Sequence, residues 1–410
     1  MKPRGRALVV TPRLPWPLDD GGRLGLWQFV VAVARDRATT LVALVPPDEP
    51  EVAAPAELAR LGVEVVRVPH APSPRALAVA RSLFDPEPVA LARYRSPRLE
   101  HELAGLVVKL EPDFVMLHHL HLAACAAACR PAPVVLRQHN VESLWWERYA
   151  ASLGNPLTRI YARDQARRMR AAEARRCAAV DLVLAIHEEE AQLLRRMAPS
   201  TAVEVVPFAM PFGELPPAAV ADAAPALAPV VLLLATWSWP PNVRGALRFL
   251  AEGWAALAAA VPGVRLRIVG KGAPASLRAA AAAAPASASI EWLGYVPDLA
   301  AVWAGADALL VPLWEGAGVR VKIVEALAAG VPIVATPLGA EGLELEAGRD
   351  YQLGRTAVEL AQATAALLAR PDRGRAQARA AHERARRIYS QEAMAERLAP
   401  LLDRVAEQRS

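Results

Sequence analysis

Cysteine is scarce: Cys125, Cys129 and Cys177 are the only three in 410 residues. Three cannot build a disulfide framework, and an odd number suits a reducing compartment. Long apolar runs are missing as well. The best, Val230–Thr236, falls far short of the roughly 20 residues that a bilayer requires. Near the N-terminus, Ala7-Leu8-Val9-Val10 runs straight into Thr11-Pro12-Arg13, which gives no leader-like apolar core. The expectation is a cytoplasmic protein, with peripheral contact at the inner face of a membrane left open. A marked excess of one charge is also absent: 47 Lys+Arg against 42 Asp+Glu leave +5. That is too little for the clustered basic face of a nucleic-acid protein, so no nucleic-acid partner is expected. What remains is a chain with 54% apolar and 22% charged residues, which can bury a large core and is not disordered. Its length suggests two or three domains.

The chain alternates short apolar runs with helical patterns. One set of candidate strands comprises Ala7–Thr11, Thr40–Val45, Val63–Val68, Phe114–His118, Val134–Gln138 and Leu182–Ile186. A second comprises Val230–Thr236, Leu266–Gly270, Ile290–Leu293, Ala308–Pro312 and Pro332–Thr336. Near-continuous apolar strands between helices indicate parallel sheets covered on both faces. Leu24, Trp27, Val31 and Ala34 predict a helix with one buried stripe after the first strand. Between the sets, Pro207–Pro229 holds six prolines and reads as a linker. The expected fold is α/β, with two Rossmann-like parallel-sheet domains facing across a cleft at the carboxyl ends of their strands, where α/β sheets bind ligands. The boundaries fall at 1–207, 208–388 and 389–410, the last segment being a helix that crosses back to the first domain.

The densest pattern runs from Val311 to Thr336. A strand ends at Pro312, a loop carries Gly316-Ala317-Gly318, and a helix follows until Gly330 and Pro332 stop it. A glycine loop leading into a helix N-terminus gathers backbone N–H donors and partial positive charge, which suits an anion. Arg320 and Lys322 stand in the first turn, where cations cost roughly 0.3–1 kcal/mol. A diphosphate bound there accounts for them. The bland alternative is a surface helix carrying a Lys322–Glu325 pair at i,i+3, worth only about 0.2–0.5 kcal/mol. Local physics leaves both open.

With Gly316, Gly318, Arg320, Lys322, Glu325 and Ala326, this stretch resembles the motif Gly-x-Gly-Thr-Arg-x-Lys-x-x-Glu-Ala of GT-B glycosyltransferases of family four. Val319 stands where Thr is usual. Gly294-Tyr-Val-Pro-Asp298, Asp307-Ala-Leu-Leu-Val-Pro312 and Gly339-Ala-Glu-Gly-Leu343 add to the likeness, which covers almost the whole chain and is closest to bacterial sugar transferases of polysaccharide biosynthesis. The resemblance implies a retaining, metal-independent transferase. It would use a nucleotide diphosphate sugar as donor substrate, no cofactor, and a glycan, lipid-linked or small-molecule acceptor. It implies that Arg320 and Lys322 bind the diphosphate with Gly318 and Val319 beside them, that Glu325 binds the ribose, and that Tyr295 and Val296 hold the base. Gly270 and Gly272 would let backbone approach the nucleotide, or else form a plain strand-ending turn. Two departures stand out. Ala317 replaces the first of two glutamates that flank the motif, with Glu315 nearby but out of register. Thr236-Trp-Ser-Trp-Pro-Pro-Asn242 replaces the usual Arg and Lys after the first strand of this domain, and related sugar transferases share that Trp-Pro-Pro-Asn.

In the N-terminal half, Gly21 and Gly22 begin the first helix after Thr11-Pro-Arg-Leu-Pro-Trp-Pro-Leu-Asp-Asp20. A turn free of side chains lets backbone N–H groups approach a sugar or phosphate, and it looks like the family's glycine loop on the acceptor side. His118, His119 and His121 cluster after the fourth strand, but no Cys or carboxylate spacing completes a metal site. By resemblance, His118 lines the donor-sugar pocket and His139 binds acceptor. Arg137, Asn140 and Glu142 are further candidate acceptor contacts. The arginines of Arg159–Arg176 read as a solvated helix face, and Cys125 and Cys129 as buried small residues. Two other functions fit the pattern: a nucleotide-sugar epimerase, and a catalytically silent nucleotide-sugar-binding protein. Ala317 favours the latter, as does Val206-Pro-Phe-Ala-Met210, where many relatives have Asn-Gly after that proline.

Overall fold

The computed structural model of the protein describes residues 4–18, 20–48, 53–82, 85–213 and 228–408. Of the expected linker, residues 214–227 lie outside the described residues. Contacts divide the chain into two compact units, Met1–Ala209 with Gln391–Ser410, and Met210–Ser390. The first holds β1 (Arg6–Thr11), β2 (Ala38–Val45), β3 (Glu64–Pro69), β4 (Phe114–His118), β5 (Val134–Arg137), β6 (Leu182–Ala185) and β7 (Ala202–Val205). The second holds β8 (Val230–Leu234), β9 (Arg265–Val269), β10 (Ile290–Gly294), β11 (Ala308–Val311), β12 (Ile333–Ala335) and β13 (Gln352–Leu353).

The first sheet is parallel throughout, in the order β3-β2-β1-β4-β5-β6-β7. Its strands are apolar because both faces are covered: Leu8 and Val10 meet Leu99 and Leu103 on one side, while Ala7 and Val9 meet Phe29 and Val30 on the other. Strand order reverses between β1 and β4, so the crevice outside their carboxyl ends is the place for a ligand. The β1 loop and His118 stand there.

The helix Gly21–Ala34 is not buried along a single stripe. Gly25 through Val31 are all buried, with Val33 and Ala34. The reason is the last helix, Gln391–Glu407, which packs against it through Met394, Leu398 and Leu402 and covers the side that would otherwise face water. Phe208 belongs to the same packing. A methyl group built on Gly25 would lie 3.1 Å from the Phe208 ring, so this phenylalanine plugs the core beside the helix. Arg137 is a core residue too, with 1% exposure. Its Nη1 donates to the carbonyls of Ala185 at 2.8 Å and Val206 at 2.6 Å, and its guanidinium lies 4.3 Å from the Phe29 ring centre. Arg137 therefore ties strand ends together and is not placed as a surface contact for an acceptor. Cys125 and Cys129 are buried as expected, although their segment Leu120–Cys129 is a 3₁₀ helix.

The second sheet runs β10-β9-β8-β11-β12-β13, again parallel. Its order reverses between β8 and β11, which singles out the loops after those two strands. The helix Pro240–Glu252 follows β8 and presses so close to the end of β11 that a Cβ on Gly245 would sit 1.9 Å from the Pro312 carbonyl oxygen. Backbone cannot give as a flexible side chain can. Gly245→Ala should therefore cost about 1–3 kcal/mol by overpacking, read as a lower urea midpoint for the Met210–Ser390 unit; an unchanged midpoint would contradict this contact.

Candidate functional site

In the C-terminal unit the loop after β11 turns twice through the left-handed region, at Gly316 (φ 109°) and Gly318 (φ 86°), where a side chain is strained. Space also requires Gly316, since a Cβ there would stand 2.7 Å from the Trp239 indole. Arg320 closes the loop. Only 4% exposed, it directs Nη1 at the carbonyls of Ala317, at 2.8 Å, and Gly318. It is also the residue that enters the helix Val321–Ala329, which Gly330 caps in the left-handed conformation (φ 69°). Ala317, where a glutamate is usual, is buried and supplies one of those carbonyls; Glu315 is engaged with Arg244 on the helix Pro240–Glu252.

The second loop, after β8, packs against the first. Trp237 is pinned through its indole Nε1, which donates to the Val269 carbonyl at 3.1 Å, and through its amide, which donates to the Lys271 carbonyl. Trp239 turns its ring to Gly316 and to the Arg320 guanidinium, whose carbon is 5.5 Å from the ring centre. Asn242 donates from Nδ2 to the Thr236 carbonyl at 2.9 Å, and its Oδ1 accepts from Lys322 Nζ at 3.3 Å. Among the described residues Lys322 and Glu325 make no ion pair, so the surface-helix alternative loses its supporting contact. Burial pushes the Lys322 ammonium down to about 7, with Arg320 adding to the effect and Glu325 opposing it. Burial likewise pushes the Glu325 carboxyl up to about 7, against the pull of Lys322. Both groups are only part-exposed and stand on one helix face with the glycine loop beside them. The arrangement gathers two basic side chains and a carboxyl beside one glycine loop.

Tyr295 and Val296 follow β10, with Tyr295 half-exposed and the Lys271 ammonium 5.8 Å from its ring centre. Gly270 (φ 126°) is tightly enclosed: a Cβ would fall 1.7 Å from the Ala235 carbonyl oxygen. Close packing of β9 on the β8 loop is thus sufficient reason for this glycine. Gly272 (φ 80°) likewise sits against Ser238.

In the N-terminal unit Gly21 and Gly22 open the helix Gly21–Ala34, with Asp20 accepting from the Arg23 amide at 2.9 Å. Arg13 grips Asp20 through two hydrogen bonds of 2.9 and 2.6 Å and lies over Gly22, where a Cβ would be 2.6 Å from Nη2. Burial alone would raise Asp20, but the Arg13 hydrogen bond, the Arg23 amide and their charges hold it below its ordinary value.

His118 is fully buried at the end of β4, and its Nδ1 lies 3.3 Å from His139 Nε2. Its own Nε2 has no partner among the described residues. The His139 ring lies on that of His119 at 3.7 Å and 7°, and His121 and Tyr94 continue the stack. Burial pushes His118 and His119 down to about 3 and drives His121 and His139 well down too, each with help from neighbouring cationic or imidazole groups. These four rings are neutral hydrogen-bonding groups at pH 7. Beside them, Glu173 is fully buried and accepts from the amides of Glu142 at 3.0 Å and Ser143 at 3.3 Å, capping the helix Glu142–Ser152. Glu142 begins that helix, and burial, then the Glu173 charge, raises its carboxyl to about 7.

The sequence pattern marks the two cations and both glycine segments as candidates, whereas Trp239, Asn242 and Glu173 receive no role from it. For the first two a signal existed, the Trp-Pro-Pro-Asn run. Glu173 gave none, being one acid in an arginine-rich helix.

Comparison with known proteins agrees with this architecture. Residues 56–209 match the family model described as Glycosyltransferase Family 4, and residues 228–370 match Glycosyl transferases group 1. No curated protein matches the chain. Among solved structures, sucrose-phosphate synthase from Thermosynechococcus elongatus is 17% identical with a TM-score of 0.73, over 99% of this chain and 100% of that one. Anabaena HepE in complex with UDP-glucose is 16% identical with a TM-score of 0.66, over 98% and 100%. An α,α-trehalose-phosphate synthase (UDP-forming) from Burkholderia vietnamiensis is 14% identical with a TM-score of 0.67, over 100% and 99%. At such identities the structures share the fold, whereas the two family models, one in each half and together spanning well over half of the sequence, establish that the chain belongs to the GT-B glycosyltransferases of group 1 and family four.

Proposed function

We propose that the protein transfers a sugar from a nucleotide diphosphate sugar to a hydroxyl of a glycan, lipid-linked or small-molecule acceptor, with retention of anomeric configuration and without a metal. The observation that carries this reading is the Arg320–Lys322 pair at the mouth of a helix, held beside a glycine loop. When the glycosidic bond to the diphosphate breaks, negative charge grows on the leaving oxygen. Fixed positive groups and backbone amides aimed at that oxygen stabilise it in the way a metal ion otherwise does. Glu325, one helical turn on, can accept from the two ribose hydroxyls. Tyr295 and Val296 hold the base, with Gly318 and Val319 shaping the nucleotide-binding surface.

Gly21, Gly22 and His139 serve the acceptor in this reading. His118, neutral because it is buried, positions the donor sugar through the Nε2 that no described residue occupies. Retention follows from resemblance to the family: the acceptor attacks the face from which the diphosphate leaves, and the diphosphate takes up the acceptor's proton. No protein carboxylate need then act as nucleophile, so Ala317 is compatible with turnover. HepE of Anabaena has been solved with UDP-glucose, which makes that compound the first donor to test. No helix among the described residues is long and apolar enough to cross a membrane; a cytoplasmic enzyme that meets lipid-linked acceptors at the inner membrane face suits the same reading.

Charge-assisted hydrogen bonds to phosphate contribute roughly 1.5–3 kcal/mol each. Lys322→Ala should therefore weaken UDP binding by about one to two decades, and Arg320→Ala at least as much, since it also releases the loop. Calorimetry checks both, and undiminished affinity in the two variants would remove the diphosphate assignment. Transfer from UDP-glucose should persist in excess EDTA, and NMR of the product should show the anomeric configuration of the donor. Activity lost to EDTA and restored by a divalent ion would sink metal independence; an inverted anomer would sink retention.

A further inference from the structure

Both cations of the proposed diphosphate site are held by neutral groups. The loop after β8 has no charged residue between Thr236 and Asn242. Its side chains instead touch the cations of the neighbouring loop. Asn242 is 8% exposed, and its amide can stand only one way round: Nδ2 is committed to the Thr236 carbonyl, so Oδ1 faces Lys322 Nζ. Trp239 offers its ring face to Arg320 and fills the space that the missing side chain of Gly316 leaves.

We propose that Asn242 and Trp239 are positioning residues for the nucleotide diphosphate, Asn242 aiming the Lys322 ammonium and Trp239 fixing the Arg320 loop. The inference rests on the reading that Arg320 and Lys322 meet that diphosphate. A carboxylate at position 242 would aim Lys322 equally well but would also neutralise it. An amide oxygen orients the ammonium and leaves its charge for the ligand. The aromatic face does the same for a guanidinium, attracting it through the ring quadrupole without an opposing charge. Burial accounts for the low Lys322 value, Arg320 lowers it further, and Glu325 on the same helix is the opposing charge. Asn242 accepts a hydrogen bond from the ammonium, and exchanging it shows how strongly position 242 acts on that charge.

The chain has four lysines, Lys2, Lys109, Lys271 and Lys322, so ¹³C-methylation of lysines in the full-length protein gives a spectrum in which Lys322→Arg assigns the Lys322 signal. The Lys322 midpoint is expected near 7 in the parent protein and at least one pH unit higher in Asn242→Asp. UDP affinity at pH 7 is expected to fall tenfold or more in Asn242→Asp and in Trp239→Ala, and to stay within threefold in Trp239→Phe. Asn242→Asp is nearly isosteric and Trp239→Phe keeps an aromatic face, so loss of fold does not stand in for loss of positioning. A Lys322 midpoint that is the same in the parent and in Asn242→Asp, with UDP still bound by the parent, overturns the inference alone. A parent protein that binds none of UDP, GDP and ADP overturns the proposed function, and the inference with it.

Discussion

Arg320 supports the loop that delivers it. Its guanidinium donates to carbonyls two and three residues earlier, so the left-handed turns at Gly316 and Gly318 close around a charged group. That clamp, with the Trp239 ring against Gly316, holds the backbone through both turns, which glycine adopts without steric penalty. Without it the helix Val321–Ala329 would start from a loose loop and present Lys322 and Glu325 at no fixed angle. Trp239 packs against the closed loop, and Asn242, anchored to the Thr236 carbonyl, reaches Lys322 just beyond it. A single side chain thus couples local conformation to the chemistry of the C-terminal unit.

Desolvation sets the ionisation of that site. A lysine and a glutamate near their midpoints at neutral pH form a poor structural ion pair, and the structure does not use them as one. Groups held in this way respond strongly to a ligand that brings charge, since a diphosphate restores the ammonium that burial weakens. The N-terminal unit takes the opposite course. Its stacked imidazoles, His118, His119, His121 and His139, are held neutral by burial and by neighbouring charged or imidazole groups, and its buried acid Glu173 is spent on capping a helix. One candidate site gathers basic side chains, whereas the histidine cluster of the other unit offers uncharged donors and acceptors.

Much of the architecture was legible in the sequence because strands buried on both faces must be apolar almost throughout. The interior strands show this except β9, where Arg265 and Arg267 alternate with apolar residues and pair with Glu291. The strands that were not legible lie at sheet edges: β7, Ala202–Val205, alternates and carries Glu204, and β13 has two residues. Edge strands escape the rule that exposes interior ones. The candidate site was legible where chemistry-bearing residue types stand together within one short segment, as from Gly316 to Glu325. It was not legible where two segments meet. Asn242 and Lys322 are 80 positions apart, and no local pattern says that they touch. Arg137 illustrates the converse error, a charged residue beside a candidate histidine that belongs to the core. Gly270 looked like room for a ligand and is filled by the Ala235 carbonyl.

The stacked histidines carry a consequence for acid tolerance. An unfolded chain binds a proton at each imidazole near 6.5, whereas His118 and His119 in place resist until about 3. Between those values the unfolded state holds more protons, so stability rises with pH and is withdrawn as pH falls. Each such ring forfeits up to about 1.4 kcal/mol for every pH unit below 6.5. With His121 and His139 depressed alongside, mild acidity concentrates its effect at the carboxyl ends of the central strands β4 and β5, and an acidic compartment would be a hostile place for this fold.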